Sequence, residues 1–216
     1  MTSSGPRGAA ARGNPWTWPP DRIDQPQPRR EGPPAPAAPT GPVRPQPGVV
    51  QQTAIGLPFR RIVPPDNWAP PAWWWSGCHG GAGITTLRAA AGGGAEAGPY
   101  WPLVPAESGV SAVVLVARTH ATGLQSAQAA VQQWASGRVP QVRLVGLVLV
   151  ADAPGRLPKP LAALAELVSG GAPRCWRLPW VEALRLGEPP GVVDLPAPYG
   201  RLAADLVGVH LTERAS

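Results

Sequence analysis

Phenylalanine occurs once in these 216 residues, methionine once and tyrosine twice, and Lys159 is the only lysine. Charged residues make up 15% of the chain, against about a quarter in an ordinary soluble domain. Cys78 and Cys175 are the only cysteines, and they lie nearly a hundred positions apart. Two such residues build neither a disulfide framework nor a cysteine-based zinc site. No apolar run approaches the roughly 18 residues that a membrane span requires, and no basic–apolar–small leader opens the chain. A soluble, cytoplasmic protein is the expectation.

What is abundant is unevenly placed. Of 31 prolines, eighteen fall before residue 72. Residues 1–66 hold eight arginines against Asp21, Asp24, Glu31 and Asp66, a net charge of +4. The remaining 150 residues hold 11 basic and 9 acidic groups, so the excess charge sits mostly in the N-terminal third. A Pro/Arg-rich segment with few branched apolar residues buries too little surface to offset its ordering entropy. The sequence therefore predicts a disordered arm over 1–66 and one folded domain over 67–216. Within the arm, Trp16 and Trp18 stand among prolines, a composition suited to docking in an aromatic-lined groove of a protein partner. A basic arm can also touch nucleic acid or acidic headgroups.

From residue 70 onward the pattern becomes periodic. Apolar runs at 72–77, 110–117 and 142–150 read as buried strands, the latter two as central parallel strands. A short strand is expected at 175–178. Helices are expected from Thr85 to about Ala91, ended by the glycines at 92–94, and over 122–136 and 161–168. A helical turn at 181–186 and a closing helix at 201–212 complete the set. Strands alternating with helices predict an α/β fold: a small three-layer domain with a mainly parallel sheet.

The most informative stretch runs from Trp73 through Ser76, Gly77, Cys78, His79, Gly80, Gly81, Ala82, Gly83 and Ile84 to Thr85 and Thr86. An apolar strand, a glycine-rich turn and the first turn of a helix make the layout of a phosphate-binding loop, where backbone N–H groups surround an anion. The stretch resembles the deviant P-loop of MinD/ParA-type ATPases, whose pattern is Lys-Gly-Gly-x-Gly-Lys-Thr-Thr. On that resemblance His79 stands at the signature lysine and Ile84 at the lysine that contacts the terminal phosphates. Gly80, Gly81 and Gly83 keep the backbone requirement. Thr85 takes the magnesium-ligand position and Thr86 follows it. The run Val145–Asp152 resembles the strand that ends at the base-reading residue, which places Asp152 there, and 177–189 resembles a late segment of the same group. The chain is also similar to an uncharacterised actinobacterial family that shares the Cys-His-Gly-Gly-Ala-Gly loop and the Ala-Asp-Ala-Pro-Gly turn. The resemblance thus implies a P-loop-like core whose cofactors, where bound, are ATP and magnesium.

Two departures oppose turnover. Loss of both lysines should cost hydrolysis more than binding, because a lysine neutralises charge that grows on the transferred group. Only about 25 residues separate the loop helix from the strand at 110, where the usual members place two strands and their magnesium-positioning aspartates. Glu96 and Glu107 are the only acids in that interval.

Other chemistries are weaker. His79-Gly80-Gly81-Ala82 also looks like the oxyanion segment of lipase-type hydrolases, but there is no Gly-x-Ser-x-Gly elbow. Adjacent Cys78 and His79 suggest a thiol nucleophile, with no evident third group to orient them. His120 follows a strand end, where doubly wound folds gather ligands. The alternative role for Asp152 is to cap the turn at 153–155.

These observations lead to a non-catalytic MinD/ParA-like accessory or adaptor protein, in plasmid transfer, partition or secretion, with no catalytic residue assigned. An active ATPase switch, with His79 or Arg118 replacing the lost lysines, and a nucleic-acid-binding protein using the basic arm are the alternatives. A homodimer is compatible with all three.

Overall fold

The strands of the computed structural model are β1 (Phe59–Arg61), β2 (Trp74–Gly77), β3 (Ala95–Gly98), β4 (Trp101–Leu103), β5 (Ser111–Arg118), β6 (Val142–Val150) and β7 (Cys175–Leu178). The helices are α1 (Ile84–Ala91), α2 (Ala121–Ala135), α3 (Lys159–Gly170), α4 (Glu182–Arg185) and α5 (Ala197–Arg214), with a 3₁₀ turn at Ala106–Ser108. The structure describes residues 37–214, with side chains through 212. The Trp16/Trp18 motif and the first 36 residues of the expected arm lie outside that range.

Five strands form one sheet in the order β3-β2-β5-β6-β7, with every neighbour parallel. Alternation along β5 explains the layers. Val113, Leu115 and Ala117 face a cluster with Leu124, Trp134, Ala165 and Val168 of α2 and α3. Val114 and Val116 face the opposite cluster, with Leu87 of α1 and Leu202 and Leu206 of α5. Because both faces are covered, the central strands β5 and β6 are apolar along their middles, with Ser111, Arg118 and Arg143 confined to positions near the ends, as buried parallel strands require. The expected three-layer α/β arrangement is thus present.

Most elements fall within a few residues of the sequence expectation. Gly92, at φ 70, ends α1 in the left-handed conformation that glycine adopts without a Cβ penalty. The interval before β5 was expected to lack strands and does not. It holds β3, paired with β2, and β4. Both are too short to give a periodic signal.

The expected arm boundary at 66 also moves. Residues 37–66 are laid over the domain as a strap. Thr40 and Gln46 donate backbone hydrogen bonds to Pro173 O (2.9 Å) and Ala135 O (2.7 Å), and β1 pairs in parallel with β4. The strap is fixed by one buried side chain. Gln133 of α2 accepts from Trp101 Nε1 at 2.7 Å and donates to Leu57 O at 3.1 Å. Leu57 itself is buried in the core. Proline-rich chain can order here because its polar backbone finds acceptors on the domain, a contribution that composition does not report.

Candidate functional site

Between β2 and β5 the strand order reverses, since α1 leads outward to β3 while α2 and α3 lead the other way to β6 and β7. At such a switch point the loops leaving neighbouring strands diverge and leave a crevice beyond their C-terminal ends. The glycine loop and the Arg118-Thr119-His120 segment meet there.

The loop starts as a continuation of the sheet, where Cys78 N–H donates to Val116 O at 2.7 Å. The Cys78 thiol is buried, and burial pushes its pKa up to about 12, with the Val116 hydrogen bond partly opposing the shift. It is therefore no nucleophile near neutral pH. His79 spends both ring nitrogens on backbone. Nε2 accepts from Arg118 N–H at 3.1 Å, and Nδ1, which must then carry the proton, donates to Gly80 O at 2.8 Å. The ring braces the loop against β5 and does not stand in for a lysine. It meets His120 edge-on at 4.9 Å between centroids. His120 caps α2, its Nδ1 accepting from Gly123 N–H at 2.9 Å.

Gly81 (φ 73) and Gly83 (φ 97) take left-handed conformations, and Gly83 precedes α1 with no side-chain cap. The first amide groups of α1 are therefore left to a ligand or to solvent. A Cβ added at Gly80, Gly81 or Gly83 would meet nothing within 4 Å, so space lies open above the loop. Ile84, the first residue of α1, packs against the α1/α5 side of the core.

Cationic charge reaches the loop from β5. Arg118 Nε donates to Gly81 O at 3.2 Å, and its NH1 lies 3.9 Å from the Asp152 carboxylate. The Arg118 side chain is 26% exposed and that of Asp152 42%, so the pair is solvent-screened and contributes little to stability. The arrangement holds a guanidinium beside the glycine turn. Asp152 is held by its own N–H, which donates to Thr119 Oγ1 at 3.1 Å.

Thr85 donates from Oγ1 to Glu96 Oε2 at 3.0 Å, and Arg88 lies 3.6 Å from the same carboxylate. Glu96 is a candidate residue that sequence reasoning passed over. Its strand is too short for a pattern, and only the β2–β3 pairing brings it to Thr85. A hydroxyl beside a carboxylate is the hard oxygen chemistry that suits magnesium, whose remaining ligands would come from phosphate oxygens and water. Among the described residues no three His, Cys, Asp or Glu side chains gather into a metal site.

Thr86 faces a narrow crevice of about 50 Å³, together with Gly83, Arg118, Ala151, Pro179 and Tyr199. Tyr199 OH donates to Pro179 O at 3.1 Å and fixes that wall. The structure thus brings His79, Gly80, Gly81, Gly83, Thr85, Thr86 and Asp152 to one end of the sheet, where Arg118 links the glycine loop to Asp152. No helix among the described residues is long and apolar enough to cross a membrane.

Residues 71–194 match the model of DUF6668, a family of unknown function, and the chain belongs to that family. No curated protein and no solved structure matches it. The matched span opens just before β2 and closes after α4, so it contains the whole glycine loop and all five strands of the main sheet.

Proposed function

We propose that this member of DUF6668 is a non-catalytic, MinD/ParA-like nucleotide-binding accessory protein, whose glycine loop holds the phosphates of a nucleotide. One observation carries the reading. A loop with two left-handed glycines leads into an uncapped helix at the switch point of a parallel sheet, and a guanidinium is held against it by Gly81 O and Asp152. Backbone amides, helix terminus and Arg118 all favour an anion in that open space. Thr85 and Glu96 would hold magnesium there. Binding without turnover follows from Ile84, since no lysine reaches the terminal phosphate from the position that supplies transition-state charge. The nucleotide-loaded form would then be read by a protein partner, with plasmid transfer, partition or secretion as the setting by analogy.

The Thr85–Glu96 hydrogen bond also favours a second reading, a magnesium-dependent ATPase switch in which Arg118 substitutes for lysine. Thermal unfolding of the full chain with Mg-ATP, Mg-ADP and Mg-GTP tests the first reading, and phosphate release tests the second. A ligand at about a hundred times its Kd adds roughly 2.7 kcal/mol of stability. Gly81→Trp places a ring in the open space above the loop and should remove the shift. Absence of any shift with all three nucleotides sinks the nucleotide reading, and measurable turnover replaces it with the second.

A further inference from the structure

A second cavity, of about 350 Å³, opens on the other side of Asp152. Its floor is the C-terminal ends of β6 and β7 at Leu149 and Leu178, and one wall is α3 at Leu161 and Ala165. The segment 151–158 (Ala-Asp-Ala-Pro-Gly-Arg-Leu-Pro) arches over it, and its small residues leave the space unfilled. The volume lies at the lower end of the range for small-molecule sites, which are apolar with a few convergent polar groups.

The polar groups at this cavity have a definite sign. Arg177 is oriented by Glu166 at 3.0 Å and Ser169 at 3.3 Å. Arg156, in the arch, has no hydrogen-bond or ion-pair partner among the described residues. His120 presents a donor, because its Nδ1 is committed to Gly123 N–H and the proton must sit on Nε2. Asp152, the one carboxylate lining the space, is paired with Arg118. The cavity is thus an apolar chamber whose uncommitted polar side chains are donors: the Arg156 guanidinium, the His120 N–H and the Thr119 hydroxyl, which accepts from Asp152 N–H and keeps its own proton free.

We propose that this cavity is a binding site for a compact apolar monocarboxylate, with the hydrocarbon body against Leu149, Leu161 and Leu178 and the carboxylate on Arg156 and His120. The site shares Asp152 with the glycine-loop crevice, but the two groups that would hold the carboxylate, Arg156 and His120, play no part in the nucleotide reading. A phosphate-bearing ligand fits it poorly, since the walls are aliphatic and offer no glycine-rich amide cradle. An amine is repelled by Arg156.

Calorimetric titration of the full chain with 4-phenylbutyrate tests the proposal, with 4-phenylbutan-1-ol and 4-phenylbutylamine as isosteric controls. The acid should bind saturably, the alcohol more weakly and the amine weakest. Arg156→Glu reverses one exposed charge without touching the core, and should weaken the acid by about tenfold or more while sparing the alcohol. Leu161→Trp fills the chamber and should weaken acid and alcohol together, with an unchanged far-ultraviolet spectrum as the check on folding. Equal affinity for acid and amine overturns the proposal. So does acid binding indifferent to both variants, binding of adenosine tighter than the acid, or no saturable binding at all.

Discussion

Gln133→Met tests whether the strap over 37–66 belongs to the folded domain. Gln133 is 8% exposed, and its amide joins Trp101, which is fully buried, to the backbone of the strap at Leu57. Methionine keeps the length and much of the volume but offers neither carbonyl nor N–H. The substitution leaves Trp101 Nε1 and Leu57 O without partners, at about 1–3 kcal/mol for each orphaned group. Extra apolar burial returns roughly 1 kcal/mol, so a net loss of about 1–5 kcal/mol is expected. In urea, with a slope of about 2 kcal/mol per molar, the unfolding midpoint should fall by about 0.5 to 2.5 M. Trp101→Phe removes the other end of the same bond. In the double variant the two losses should add to much less than their sum, because one hydrogen bond cannot be broken twice. A chain beginning at residue 67 should melt below one beginning at residue 37, since it uncovers Trp101 and the β4 edge. A midpoint shift below about 0.3 M for Gln133→Met, with strictly additive single losses, would refute the account of the strap as part of the core.

Gly123→Ala should lower the melting temperature by several degrees. The added Cβ would lie 2.3 Å from Arg118 O and 3.0 Å from His79 Nε2, forcing α2 off the loop at about 1–3 kcal/mol, and an unchanged or higher Tm contradicts that packing. Cys78 should resist iodoacetamide in the native protein near pH 8 and react only on unfolding; rapid native labelling at that position, located by peptide mapping, contradicts its burial. The same shift sets a pH dependence. Below pH 9.0 the thiol is protonated in both states, and between there and about 12 only the unfolded chain ionises. Stability should therefore fall as pH rises through that window, by up to about 1.4 kcal/mol per unit, and Cys78→Ala should flatten the slope. Cys175 and Tyr199 are also raised by burial and act in the same direction, so the variant should retain a smaller slope; an identical slope would contradict the assignment. If the loop binds nucleotide, Arg118→Gln should weaken binding by about ten- to a hundredfold at low salt, as measured by titration, and equal affinity would exclude Arg118 from the site.

The linear order of residues was enough for the layered α/β core. β6 falls on the expected residues, because its Val/Leu-rich run has few alternatives in a chain that must bury it on both faces, and the short edge strand β7 falls on its expected residues too. It was enough also for the glycine loop, whose conformation is a local matter of left-handed positions at Gly81 and Gly83. Tertiary structure decided what stands around that loop. Glu96 reaches Thr85 only because β3 pairs with β2, and Arg118 reaches Gly81, 37 positions away along the chain, because β5 lies beside β2. The strap was invisible for the same reason. Its order comes from backbone donors finding Pro173 and Ala135, and from one buried glutamine, not from any hydrophobic period of its own. Composition and periodicity report what a segment can bury by itself, whereas a site and a strap are made of partners distant in sequence, which only the packed arrangement of strands, helices and loops brings together.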